Sequence, residues 1–139
     1  MPNPNAPTPR SLGRWRSCTN PRNLPESAGI YRMRRTRNRV TQTMYVGKAS
    51  NLRQRLSNHN RLRGGDKIQF KLVPHSRRMY RDPVRQANRS RLDVAERLHL
   101  RSELARGQNC RRNHDLRQWV RTYNALPQSR QTIRLTRRT

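Results

Sequence analysis

Two tripeptides contain the residues best suited to chemistry: Gly29-Ile30-Tyr31 and Tyr45-Val46-Gly47, with thirteen residues between the tyrosines. Lys48 follows the second at once, and Arg55 and His59 lie a few residues further on. Hydrolysis of a phosphodiester needs an activated water, a charge clamp on the phosphoryl oxygens and stabilisation of the departing oxygen. A guanidinium at Arg55 is permanently charged and can stabilise charge developing on phosphoryl oxygens. His59, four residues on, falls on the same helical face and can relay a proton or hold a phosphate oxygen. A phenol titrates near about 10, so a tyrosine needs help to act as a base. Lys48 and the positive field around it could supply that help by lowering the phenol pKa. Singly, each residue has an ordinary reading, as a strand tyrosine or one of many solvated arginines. Jointly they point to a site.

Positioning that set requires two strands and a helix. Ile30 to Arg34 alternates apolar and basic residues, and Val40 to Val46 is rich in Thr, Val and Tyr, so both read as strands. The polar turn Thr36-Arg37-Asn38-Arg39 joins them into an antiparallel hairpin. Tyrosines from adjacent antiparallel strands can converge on one patch beside the next helix. Ser50 is expected to cap that helix, which runs from Asn51 to Arg63 with Leu52, Leu56 and Leu62 as its apolar stripe and Gly64-Gly65 at its end. Ile68 to Val73 predicts a third strand, stopped by Pro74. Beyond Asp82-Pro83, helical recurrence predicts a helix over 84–105, capped by Gly107, and a last helix over Asp115 to Ala125. The expected class is α+β, with a three-stranded, mostly antiparallel sheet flanked by helices.

Bulk properties set the partner class. The chain has 139 residues, 33 basic against 7 acidic, for a formal net charge of +26. Such a chain repels itself unless a polyanion neutralises it, and nucleic acid is the foremost candidate. All the basic residues are arginine except Lys48, Lys67 and Lys71. With 30% hydrophobic residues and a single Phe, one modest core is expected. Residues 1–24 read as a basic, proline-rich flexible arm, in which Trp15 either stacks on a base or docks on the domain. Residues 25–113 form the domain proper, and 114–139 a helix and basic tail. Cys18 and Cys110 lack zinc spacing and are expected to be free thiols. No apolar run reaches the length of a membrane span, and no signal-peptide core follows Met1. A soluble, intracellular protein, cytoplasmic or nucleoid-associated, is the resulting expectation.

Over Pro25 to His59 the sequence resembles the amino-terminal half of the GIY-YIG nuclease domain. It is similar to the versions in bacterial excision-repair incision nucleases and phage homing endonucleases. The run Tyr45-Val46-Gly47-Lys48-Ala49, with Asn51-Leu52 and Arg55-Leu56, carries most of the likeness. The resemblance implies a GIY-YIG-like fold and a DNA endonuclease. It places Tyr31 and Tyr45 in the active site, one of them assisting deprotonation of the attacking water. It puts Arg55 on the scissile phosphate, with His59 beside it.

It further implies one glutamate on a later helix holding Mg²⁺ or Mn²⁺. The only glutamates are Glu26, Glu96 and Glu103. Glu26 belongs to the turn before the first motif. Ala95-Glu96-Arg97-Leu98 matches the family's local pattern and makes Glu96 the favoured metal ligand, with Glu103 as the alternative. Asn109 and Asn113 are both candidates for the family's late asparagine, and Asn113 equally for the cap of the last helix. The usual proline between the glutamate and that asparagine is absent. His75, His99 and His114 show no metal spacing. The competing reading is a non-catalytic basic nucleic-acid-binding protein, either a decayed nuclease or an RNA- or ribosome-associated one. RNA remains open as a substrate, as do oligomeric state, target and single- versus double-strand cutting.

Overall fold

The computed structural model describes residues 6–58 and 65–136. Its centre is an antiparallel sheet of β1 (Arg16–Cys18), β2 (Gly29–Arg37), β3 (Val40–Ala49) and β4 (Lys67–Leu72), in the order β1-β4-β2-β3. The three strands expected from sequence are its core. The fourth comes from the proline-rich arm, where Arg16 to Cys18 pairs with Phe70 to Ile68. An edge strand of three residues needs only its backbone for pairing, so it leaves little pattern in the side chains. Leu24, at the end of the same arm, is fully buried. The expected flexible arm is therefore docked on the domain: Ala6, Leu12 and Trp15 pack against its core before β1 joins the sheet.

Strands β2 and β3 form the expected hairpin, turning at Asn38 and Arg39 with φ of 53° and 66°. Both turn residues thus take the left-handed conformation that suits a tight two-residue connection. The register shifts between Met33 and Arg34, because Met33 faces Tyr45 while Arg34 faces Thr43. Met44 is the extra residue of this bulge. The bulge twists β3, the free edge of the sheet, and residues 108–113 cover that edge. Cys110 and Arg112 donate their amides to the carbonyls of Thr43 and Met44, each at 2.9 Å. Asn113 donates to and accepts from the Val46 backbone, at 2.8 Å in both directions.

Alternation along the strands divides the core. Tyr31, Met33, Tyr45 and Ala49 face α1 (Leu52–Ser57) and pack with Leu24, Leu52, Leu56 and Phe70. Full burial of Leu52 and Leu56 contributes about 1.5–3 kcal/mol each. The helix is capped by Asn51, whose side chain accepts from the Gln54 amide at 3.1 Å, and not by Ser50 as the sequence suggested. The remainder of the expected helix, with His59 and Leu62, lies outside the described residues.

The expected helix over 84–105 is two elements. Strands β5 (Met79–Asp82) and β6 (Ala87–Ser90) form a hairpin, and α2 (Arg91–Ala105) starts only after Ser90, whose hydroxyl accepts from the Asp93 amide at 3.1 Å. Asp82 makes the turn between the strands, accepting from the amides of Val84 at 2.8 Å and Arg85 at 3.4 Å. Burial alone would raise the pKa of Asp82, but hydrogen bonds from Arg89, Val84 and Trp119 hold it below the usual carboxylate range. Helix α3 (His114–Ala125) matches its expected span and packs on α2, and β7 (Arg134–Leu135) pairs with β5. Val46, Val94, Leu100, Trp119, Val120, Tyr123 and Ile133 form the shared core on the α2 side. The carboxy-terminal helix and tail are thus continuous with the domain core. Among the described residues no helix is long and apolar enough to cross a membrane.

Candidate active site

Gly47 is where the two tripeptides meet. It lies directly across from Tyr31 in the hairpin register, two residues after Tyr45. A Cβ at Gly47 would stand 2.6 Å from the Tyr31 ring and 2.6 Å from the Tyr45 ring. No side chain fits there, so glycine lets both rings lie over the strand, their centroids 6.0 Å apart. The spacing of the motifs therefore has a steric cause: it builds a pair of phenols at the end of the hairpin.

Beside them an open cavity of about 810 Å³ sits at the carboxy-terminal end of β3, between α1 and α2. Tyr45, Lys48, Arg55 and Glu96 all line it, from three separate elements. Asn51, Gln54 and Asn58 add polar groups to its wall. Sequence reasoning did not single these out as site residues, since Asn51 and Asn58 are the two caps of α1 and Gln54 a solvated helix position. Tyr31 is fully buried behind the cavity. Burial, reinforced by Tyr45, pushes its phenol well above the ordinary tyrosine range, although a hydrogen bond and the charge of Arg55 oppose the shift. The same contact, Tyr31 foremost, raises Arg55 still further, so the guanidinium keeps its charge.

The expectation that Lys48 would lower a tyrosine pKa is not what this geometry provides for Tyr31. Lys48 points to the opposite face of β3, pairs with Asp93 and faces Glu96. Burial lowers its own pKa, with Glu96 acting against that shift. Glu96 is buried, and burial raises its carboxyl above the usual range against the pull of Lys48, Arg97 and Arg55. Asp93, the partner of Lys48, was not singled out from sequence. Its signal was its place in the first turn of α2.

Glu103 is two turns further along α2 and has another occupation. Its carboxylate takes Arg32 at 2.5 Å and the Thr43 hydroxyl at 2.7 Å, inside the core. Glu26 is exposed and pairs with Arg53 at 3.4 Å. Asn109 accepts from the Arg111 amide at 3.2 Å, away from the cavity. Asn113 spends its side chain on Val46 rather than capping α3, and so braces β3 between Tyr45 and Gly47. His99 is buried against Trp15 and Lys71, His75 lies in a loop and His114 opens α3. His59 is outside the described residues. Among the described residues no group of three or more His, Cys, Asp or Glu side chains could hold a metal ion. Among the described residues lining the cavity, Glu96 is the carboxylate, the kind of group that Mg²⁺ takes alongside waters and substrate phosphate oxygens.

Residues 27–84 match the family model of the UvrC-like GIY-YIG domain. That stretch holds both tyrosines, Lys48 and Arg55 and stops short of α2, so Glu96 is placed by geometry alone. No curated protein and no solved structure matches the chain.

Proposed function

With residues 27–84 belonging to the GIY-YIG nuclease family, we propose that the chain is a DNA endonuclease using Mg²⁺ or Mn²⁺ held by Glu96. The observation carrying this reading is that Tyr45, Lys48, Arg55 and Glu96, dispersed over the sequence, line one cavity. Binding a polyanion has no need of a carboxylate among its cations, whereas metal-assisted phosphodiester hydrolysis does.

A divalent cation on Glu96 would supply charge neutralisation at the phosphoryl oxygens and a more acidic water. The protein groups do the rest. Arg55, mostly exposed at the mouth of the cavity, binds a non-bridging oxygen of the scissile phosphate and stabilises the charge that develops on it. Lys48 faces the Glu96 carboxylate and favours its ionised form, the form able to hold a cation. Tyr31, with its pKa raised by burial, stays a neutral phenol. It positions Arg55 and does not serve as a standing phenolate. Tyr45 stands on the cavity wall, where its hydroxyl can order the attacking water or a phosphate oxygen. His59, outside the described residues, keeps only its sequence-based role as a candidate proton relay.

The test is incubation of the purified chain with supercoiled plasmid and Mg²⁺ or Mn²⁺. Nicked or linear product that disappears with EDTA is the expected result. Intact plasmid under every divalent ion, with nucleic acid still tightly bound, would establish the non-catalytic reading instead.

A further inference from the structure

Lys71 and Arg32 alternate along β4 and β2 with Phe70 and Tyr31, so they point away from the tyrosine side of the sheet. They form the floor of a second cavity, of about 1210 Å³, walled by residues 8–15 and the last turns of α2. Arg10, Arg14, Arg101 and Arg106 complete a ring of six cations around it. Its one carboxylate is Glu103, already spent on Arg32 and Thr43. Among the described residues no carboxylate pairs with Arg10, Arg14, Arg101 or Arg106.

The cations are held in place. Trp15 lies against Arg32 at 4.5 Å and Lys71 at 4.9 Å from its ring centroid, which supports both charges. Lys71, only 3% exposed, donates to the Pro9 carbonyl at 3.0 Å and to His99 Nε2 at 3.3 Å. His99 in turn donates from Nδ1 to the Ala95 carbonyl at 2.6 Å. Burial, then Arg32 and Arg106, push the Lys71 ammonium down to about 8. Burial and Lys71 push His99 down to about 3, leaving it neutral. The lining carries far more positive charge than it can pair, and an entering anion would relieve that excess.

We propose that this cavity, further along α2 from the candidate active site, seats backbone phosphates of the same nucleic acid strand or duplex. Its size and its spread of guanidinium groups suit several phosphates in succession and exceed the needs of a single anion. The inference rests on the substrate being nucleic acid, and not on the chain being able to cut it. Part of the polyanion affinity thereby has an address, built by the amino-terminal segment together with α2.

The experiment is fluorescence anisotropy of a labelled duplex across a salt series, comparing the wild-type chain with Arg14→Ala/Arg106→Ala. Both side chains are exposed, so the fold should survive, which thermal melting would verify. Removing two phosphate contacts should reduce the slope of log K against log salt by about 2. Arg121→Ala/Arg130→Ala, which lines neither cavity, is the charge-matched control and should leave the slope unchanged. An unaltered slope in the first variant, an equal loss in the control, or a variant defective for polyglutamate but not for duplex would overturn the proposal. A lowered slope in a protein that never cleaves would sink the nuclease reading and leave this one standing.

Discussion

Glu96 and Arg55 are asked to do the chemistry, and both should respond to substitution in a defined way. Arg55→Ala and Glu96→Ala should each lower the cleavage rate by about 10²–10³ while nucleic acid binding persists, as read by single-turnover kinetics beside anisotropy. Glu96 also links activity to stability. Its folded pKa lies above the unfolded value because burial disfavours the charge. Its contribution to stability is therefore fullest at low pH and is lost as pH rises through the folded pKa. Glu96→Gln should consequently melt at a higher temperature than wild type near neutral pH while cutting far more slowly, a gain that tracks the strain of a functional carboxylate. Cation binding requires the ionised form, so cleavage should decline as the solution is acidified, starting at a higher pH than an ordinary glutamate would set. A pH–rate profile flat across that region would contradict this. The paired tyrosines, Lys48 and Arg55 were singled out in the sequence by the family resemblance, and Tyr45, Lys48 and Arg55 line one cavity with Tyr31 buried behind it. The choice between Glu96 and Glu103 was not legible in physical terms. Seven residues apart on one helix, the two differ only in what the sheet offers them, and Arg32 and Thr43 claim Glu103.

At the scale of elements, β3 is the strand on which the site depends, and two devices hold it. Gly47→Ala would force a methyl group into two aromatic rings, so overpacking of about 1–3 kcal/mol is expected, with cleavage lost along with the tyrosine geometry. Chemical denaturation and cleavage rates measured on the same sample would check both. Asn113→Ala would leave the buried Val46 amide and carbonyl without their side-chain partner, at a cost of about 2 kcal/mol or more. A melting temperature unchanged from wild type would show that Asn113 does not brace this strand. The β2–β3 hairpin could be read from its alternation and turn. The β5–β6 hairpin could not, because Val84 and Ala87 fall at helical spacing from the residues of α2 and mimic an extra turn. Only the buried turn at Asp82, bonded to Trp119 thirty-seven positions away, tells the two apart. Strand β1 was hidden for another reason: it pairs through backbone, inside a segment whose composition argues against folding.

The whole molecule is an antiparallel α+β fold with a net charge of +26, a polar cavity at the end of β3 and a cation-rich cavity further along α2. Charge on that scale predicts salt-sensitive binding of a polyanion, and it does not by itself predict cutting. Deleting residues up to Asn20 would remove β1 and Trp15 together, so it should lower the melting temperature and weaken nucleic acid binding, contrary to what loss of a loose arm would do. Catalysis must be judged at the cavity beside β3. The most direct measurement is the single-turnover cleavage rate of wild type, Glu96→Gln and Glu103→Gln side by side across a Mg²⁺ titration, with folding verified by melting. The account predicts that Glu96→Gln falls by about 100-fold or more at every Mg²⁺ concentration, while folded Glu103→Gln still cuts. Glu96→Gln cutting as fast as wild type would contradict it.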